Sequence, residues 1–258
     1  RWFASYLTNR LQFTSVDNVN SGLVMVNCGV PQGSVLGPLL FLIYMNDIVN
    51  TVPGNNVKLF ADDTNLFVSG TDSCLLNQTA NEYIQLLNDW LLANRLSLNL
   101  DKTCYMIFPA KQNNNTEIVL GLNGVQIQRV TSCRYLGVII DNDLTWTAHI
   151  DCIYSRLLKH VGIFYRLRNK LPKSVLKNIY FAFVHSCILY GVDIYANTSP
   201  THLDRLIKLN NKLLRILQNM PRCCHTKNLY SVYDTLNIPN LHKQQILMLV
   251  HKFVHHTD

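Results

Sequence analysis

A chain of 258 residues with 48% hydrophobic and 15% charged side chains can bury a sizeable core, as one large domain or two smaller ones, and is not a disordered tail. Its longest apolar runs, Pro38 to Met45 and Ile179 to Val184, are too short to span a bilayer, and eight scattered cysteines with no secretion signal fit reduced intracellular thiols. The net charge of +7 is polarised: residues 1–150 carry 8 basic and 11 acidic side chains (−3), residues 151–258 carry 15 and 5 (+10), so a polyanion is expected against the C-terminal half.

In chain order, Trp2 to Leu11 has helical spacing in Trp2, Phe3, Tyr6 and Leu7. Phe13–Val16 and Leu23–Val26 read as two strands around the Asn20-Ser21-Gly22 turn. The loop Gly29 to Gly33 leads through Pro38 into a predicted helix, Leu39 to Ile48, with Asp47 as a cap or surface acid at its end. Val57–Phe60 and Thr64–Val68 are apolar runs meeting at Asp62-Asp63, which predicts a β-hairpin with the acids at or beside its tip. Asp and Asn also make turns by bonding nearby backbone. Two adjacent carboxylates nevertheless repel, and a hard divalent cation with oxygen ligands relieves that repulsion.

Gly70-Thr71-Asp72 should stop the strand and cap a helix from Ser73 to Leu96, with Leu76, Tyr83, Leu87 and Trp90 as its apolar face. A strand Cys104–Phe108, a polar loop Lys111–Thr116 and a hairpin about Asn123-Gly124 follow. Cys133–Ile140 reads as one strand, and Asp143–Trp146 as the start of the next helix. Everything beyond is helical, with Pro172, Pro200, Pro221 and Pro239 between helices. Arg156, Lys159, Arg166 and Lys170 form one basic stripe beside Ile153, Leu157, Val161, Phe164 and Leu167; Arg205, Lys208, Lys212 and Arg215 form another. A basic stripe is ordinarily a solvated face, whereas two with few intervening acids point to nucleic acid. Cys223-Cys224-His225 lacks the spacing of a zinc site.

The block Gly29-Val30-Pro31-Gln32-Gly33-Ser34-Val35-Leu36-Gly37-Pro38, followed by Phe60-Ala61-Asp62-Asp63, resembles the reverse-transcriptase domain of non-LTR (LINE-type) retrotransposons. Trp2-Phe3-Ala4-Ser5-Tyr6-Leu7-Thr8-Asn9-Arg10, the Asn99-to-Thr103 segment and Tyr135-Leu136-Gly137-Val138 are similar to further blocks of that family, in the same order. The resemblance implies an α+β fold: a partial polymerase palm with antiparallel sheet and packed helices over 1–144, then an all-helical thumb and connector over 145–258. It implies Asp62 and Asp63 as catalytic ligands of Mg2+, or Mn2+, and Lys102 as an aid to pyrophosphate departure. Gln32 and Gly33 are expected beside nucleotide and template, Leu136 and Gly137 at the primer, and Arg156, Lys159 and Arg166 on nucleic-acid phosphates.

The implied activity is RNA-directed DNA polymerisation on an RNA template and DNA primer with deoxynucleoside triphosphates, inside the cell, by family in the nucleus with a cytoplasmic ribonucleoprotein as the alternative, and with no membrane role. The third carboxylate of such sites belongs on an earlier strand; Asp17, the only acid before the Pro31-Gln32-Gly33 loop, lies in a turn without the flanking pattern. The chain opens on Arg1 in mid-pattern, and the expectation is a truncated, inactive piece of a polymerase. The alternatives are a non-catalytic nucleic-acid-binding remnant and a structural protein using the fold for protein contacts.

Overall fold

A computed structural model describes residues 1–108, 118–221 and 223–255; the polar loop expected at Lys111–Thr116 lies outside them. The chain forms two compact units, one running from Arg1 to Tyr105 and taking in the described residues 118–128, the other built on Arg129 onward with 106–108. The class is α+β: helices and small antiparallel two-stranded sheets.

In the first unit, helix α1 (Trp2–Leu7) stops where Asn9 turns to a φ of 55°, with the Thr8 hydroxyl donating to the Ala4 carbonyl at 2.7 Å. Strand β1 (Arg10–Gln12) pairs antiparallel with β4 (Val24–Val26), Arg10 opposite Val26. Between them β2 (Ser15–Val16) and β3 (Val19–Asn20) close a hairpin. Its turn is Asp17-Asn18, at φ 49° and 64°, and not the expected Asn20-Ser21-Gly22. Asp and Asn tolerate the left-handed region that a two-residue hairpin needs, whereas Ser21 is drawn into pairing, its N–H donating to the Thr14 carbonyl at 2.9 Å.

Helix α2 (Gly37–Met45) begins two residues earlier than expected, because the Ser34 hydroxyl accepts from the Gly37 N–H at 3.0 Å and Pro38 presets the first turn. Two 3-10 turns, Ile48–Asn50 and Pro53–Asn55, lead to β5 (Val57–Phe60), which pairs with β6 (Asp63–Leu66). Helix α3 (Ser73–Ala93) is capped by Asp72, whose carboxylate accepts from the N–H groups of Cys74 (2.8 Å) and Leu75 (3.3 Å). The core of this unit gathers Met45, Ile48, Val52 and Val57 with Leu87 of α3, and Leu59, Leu66, Tyr83 and Trp90 pack on it. Thus one face of the β5–β6 hairpin is held by α3, the period-two alternation of β5 leaving Lys58 and Phe60 outside.

Strand β7 covers only Cys104–Tyr105. The hairpin β8 (Gly121–Leu122) and β9 (Val125–Gln126) turns on Asn123-Gly124, at φ 53° and 78°. Asn77 and Asn81 of α3 serve the backbone leading into β8: Val119 N–H donates to Asn77 Oδ1 at 3.2 Å and Gly121 N–H to Asn81 Oδ1 at 3.0 Å. Strand β10 (Gln128–Arg129) stands at the boundary between the units.

In the second unit, residues 133–140 are not one strand. They are an antiparallel hairpin, β11 (Ser132–Tyr135) and β12 (Val138–Asp141), with Tyr135 opposite Val138. Leu136 and Gly137 take φ 45° and 84°, two successive left-handed residues, which reverses the chain. Helix α4 (Thr147–Leu167) follows, and its start is organised by Asp141, not by Asp143. The Asp141 carboxylate accepts from Thr145 N–H and Trp146 N–H, both at 2.8 Å. Then come α5 (Lys173–Tyr180), a π-helical turn Phe181–His185, α6 (Ser186–Leu189), α7 (Val192–Tyr195), α8 (Pro200–Leu217), α9 (Thr226–Tyr233) and α10 (Ile238–His255).

Their core joins Ile153, Leu157 and Phe164 of α4 to Leu206, Leu213 and Leu217 of α8, the apolar stripes expected from the 3.6-residue period. Buried Asn210 is satisfied inside that core: Tyr180 Oη donates to its Oδ1 and its Nδ2 donates to Tyr230 Oη, each at 3.2 Å.

Candidate functional site

Asp62 and Asp63 stand at the tip of β5–β6, where Asp63 is opposite Phe60 and Ala61-Asp62 make the turn. Ala61 holds a φ of 52°, a left-handed setting that costs a non-glycine residue on the order of 1 kcal/mol. Both carboxylates are exposed, and among the described residues neither accepts a hydrogen bond nor pairs with a cation. Two adjacent, unpartnered anionic oxygen donors on a strand tip suit a hard divalent cation. Among the described residues no three His, Cys, Asp or Glu side chains gather where they could hold a metal ion.

The loop before α2 is built from the backbone outward. Gly29 and Gly33 take φ 75° and 76°, and a side chain at either would meet nothing within 4 Å, so the loop offers open backbone. Gln32 and Gly33 are exposed there. Arg10 pins the loop's start, its guanidinium donating to the carbonyls of Cys28 (3.3 Å) and Gly29 (2.5 Å). Lys102 lies exposed on a turn in which Lys102 N–H donates to the Asn99 carbonyl at 3.2 Å. No hydrogen bond or ion pair joins it to Asp62 or Asp63 among the described residues.

In the second unit, Gly137 and Arg156 come together. They line one cleft of about 370 Å³ with His149, His160, Phe183 and Tyr190 among its walls. Tyr190 Oη donates to the Leu136 carbonyl, and a Cβ on Gly137 would lie 3.1 Å from Tyr190 Cε1. The turn is therefore clasped by Tyr190 from the end of α6. Lys159 and Arg166 are exposed on α4 and do not line the cleft. Arg156 Nη1 donates weakly to Cys187 Sγ at 3.7 Å. Burial pushes the Cys187 thiol above its ordinary range, and Arg156 works against that shift.

His149 was missed by sequence reasoning, since a lone histidine on a helix has no distinguishing pattern. It is buried, and its Nδ1 accepts from the Ile139 N–H at 3.2 Å, which puts the ring proton of the neutral form on Nε2. Burial, helped by the Arg156 and Arg134 guanidiniums, holds its pKa below the ordinary histidine value.

One chain thus carries a carboxylate pair on a hairpin tip, an open glycine loop ahead of it and a cationic helical stretch after it. The reverse transcriptase (RNA-dependent DNA polymerase) family matches residues 1–140, and the chain belongs to that family. It is similar to the RNA-directed DNA polymerase from mobile element jockey of Drosophila melanogaster, at 28% identity over 247 residues, covering 92% of this chain and 26% of that protein. It is also similar to the probable RNA-directed DNA polymerase from transposon X-element of Drosophila melanogaster (27% identity, 83% of this chain, 24% of the relative). A third relative is the retrovirus-related Pol polyprotein from type-1 retrotransposable element R1 of Bradysia coprophila (22% identity, 67% of this chain, 18% of the relative). The resemblance to non-LTR retrotransposon polymerases therefore holds, and the chain spans about a quarter or less of the length of these relatives. Among the described residues no helix is long and apolar enough to cross a membrane.

Proposed function

We propose that the chain is the palm (1–144) and the helical thumb and connector (145–258) of an RNA-directed DNA polymerase that extends a DNA primer on an RNA template from deoxynucleoside triphosphates, with the nucleus as its place of work. The observation that carries this is the exposed, unpartnered Asp62–Asp63 pair at the β5–β6 tip inside a family block. Asp62 and Asp63 would hold Mg2+ (or Mn2+) through carboxylate oxygens, together with a further carboxylate. A bound divalent ion supplies activation of the primer 3′ hydroxyl and charge neutralisation at the triphosphate.

The chain's own residues divide the remaining work. α3 packs on the base of the hairpin at Val57, Leu59 and Leu66, so the carboxylates stand on a tip whose base is anchored in the core. The open backbone at Gln32-Gly33 leaves room for nucleotide and template. The Leu136-Gly137 turn meets the primer, while Arg156, Lys159 and Arg166 neutralise backbone phosphates. Lys102 places positive charge for the departing pyrophosphate.

The test is primer extension in a chain extended to the length of its relatives. Asp62→Asn and Asp63→Asn should each lower incorporation by orders of magnitude while the melting temperature holds or rises, because an ion loses a charged ligand and like charges are relieved. Incorporation within a few-fold of the parent would remove the pair from catalysis.

A further inference from the structure

The cleft behind the Leu136-Gly137 turn has a composition that phosphate attraction alone does not account for. α4 supplies Arg156 and His160 on one side, and the π-helical turn supplies Phe183 on the other. Phe183 is 55% exposed although its neighbour Val184 is fully buried. A π turn admits an extra residue and so rotates the side chains after it, and such turns concentrate at functional sites. Here the turn leaves Phe183 outside the core beside the His160 ring, with centroids 5.8 Å apart and planes at 49°. No carboxylate lines the cleft, and none pairs with Arg156 among the described residues. Among the described residues its side chain donates to the Cys187 thiol, a weak acceptor, leaving most of its donors unused.

An exposed aromatic face next to an unpaired guanidinium is the chemistry that reads unstacked bases: the ring takes the base face and the arginine takes the phosphate. Paired bases inside a duplex have both faces covered, so the interior of a duplex cannot use Phe183. The volume of about 370 Å³ is at the small end for ligand-sized clefts, roughly 300–1,000 Å³. Resting on the nucleic-acid reading above, we propose that this cleft seats one unpaired nucleotide of the bound nucleic acid, its base stacked on Phe183 and its phosphate held by Arg156.

The experiment measures binding of the 258-residue chain to two labelled probes by fluorescence anisotropy: a blunt duplex, and the same duplex with a short single-stranded extension. Phe183→Ala should weaken binding to the extended probe by about tenfold and leave the blunt duplex unchanged, the loss expected for one stacked base. Phe183→Trp should restore it. Arg156→Gln should weaken binding to both probes and reduce the salt slope by about one contact. Equal affinity of Phe183→Ala and the parent chain for the extended probe, or an equal loss on both probes, overturns the proposal while leaving the polymerase reading standing. Absence of salt-dependent binding of the parent chain to either probe overturns both.

Discussion

His149 joins strand to helix: one ring nitrogen accepts from β12 at Ile139, and the ring packs edge-on against Tyr195 with centroids 5.0 Å apart. A charged imidazole would lose the Nδ1 acceptor and sit buried near two arginines, and the folded pKa is accordingly lowered by burial first and the arginines second. The unfolded chain binds the proton at about pH 6.5, whereas the folded chain resists it, so this contribution to stability is complete above about pH 6.5 and is lost as pH falls below it. Burial of His185 acts in the same direction. The melting temperature should therefore decline as pH falls below about 6.5, and His149→Asn should flatten that decline. An unchanged slope in the variant would assign the pH dependence to other groups.

At the scale of elements, two short features decide how the second unit is joined. Asp141 ends β12 and also holds the two amides ahead of α4, so one side chain sets both a strand end and a helix start. Asp141→Ala should cost about 1–3 kcal/mol in urea unfolding, because two backbone N–H groups lose a charged acceptor, and Asp141→Asn should recover part of it. Gly137 is required by its turn before any ligand is considered. With φ at 84° and Tyr190 Cε1 3.1 Å from where a Cβ would be, Gly137→Val should destabilise by roughly 1–3 kcal/mol. Adding Tyr190→Ala to that variant should relieve the contact but leave the backbone strain, so a full rescue would show that strain is negligible there. The hairpin was legible only as a β-rich run: Tyr135-Leu136-Gly137-Val138 has no Asn or Asp to announce a turn, and Leu136 occupies a left-handed residue that the clasp from Tyr190 makes tolerable.

For the whole molecule, the charge polarity gives the most direct measurement. The +10 balance of residues 151–258 predicts binding to primer–template duplex that weakens with salt, at about −0.9 in log affinity per log salt for each phosphate contact on B-form DNA. Charge reversal of Arg156, Lys159 and Arg166 together should flatten the slope by the number of contacts removed, and a parent slope near zero would make these residues solvated faces.

The sequence by itself determined the features that depend on local chemistry. The β5–β6 hairpin with its acids at the tip, the Asp72 cap of α3, the Asn123-Gly124 turn and the buried stripes of α4 and α8 all follow from side-chain type and spacing, since turns, caps and amphipathic faces are set within a few residues. Tertiary structure alone decided what depends on partners distant in the chain. Arg10 reaching Gly29, Asn81 serving Gly121, His149 held by Ile139, and Tyr190 closing over Leu136 join residues 10 to 54 positions apart or cross from one element to another. Such contacts form when elements pack and each buried donor or acceptor must find a partner, and no local pattern encodes which one it will be.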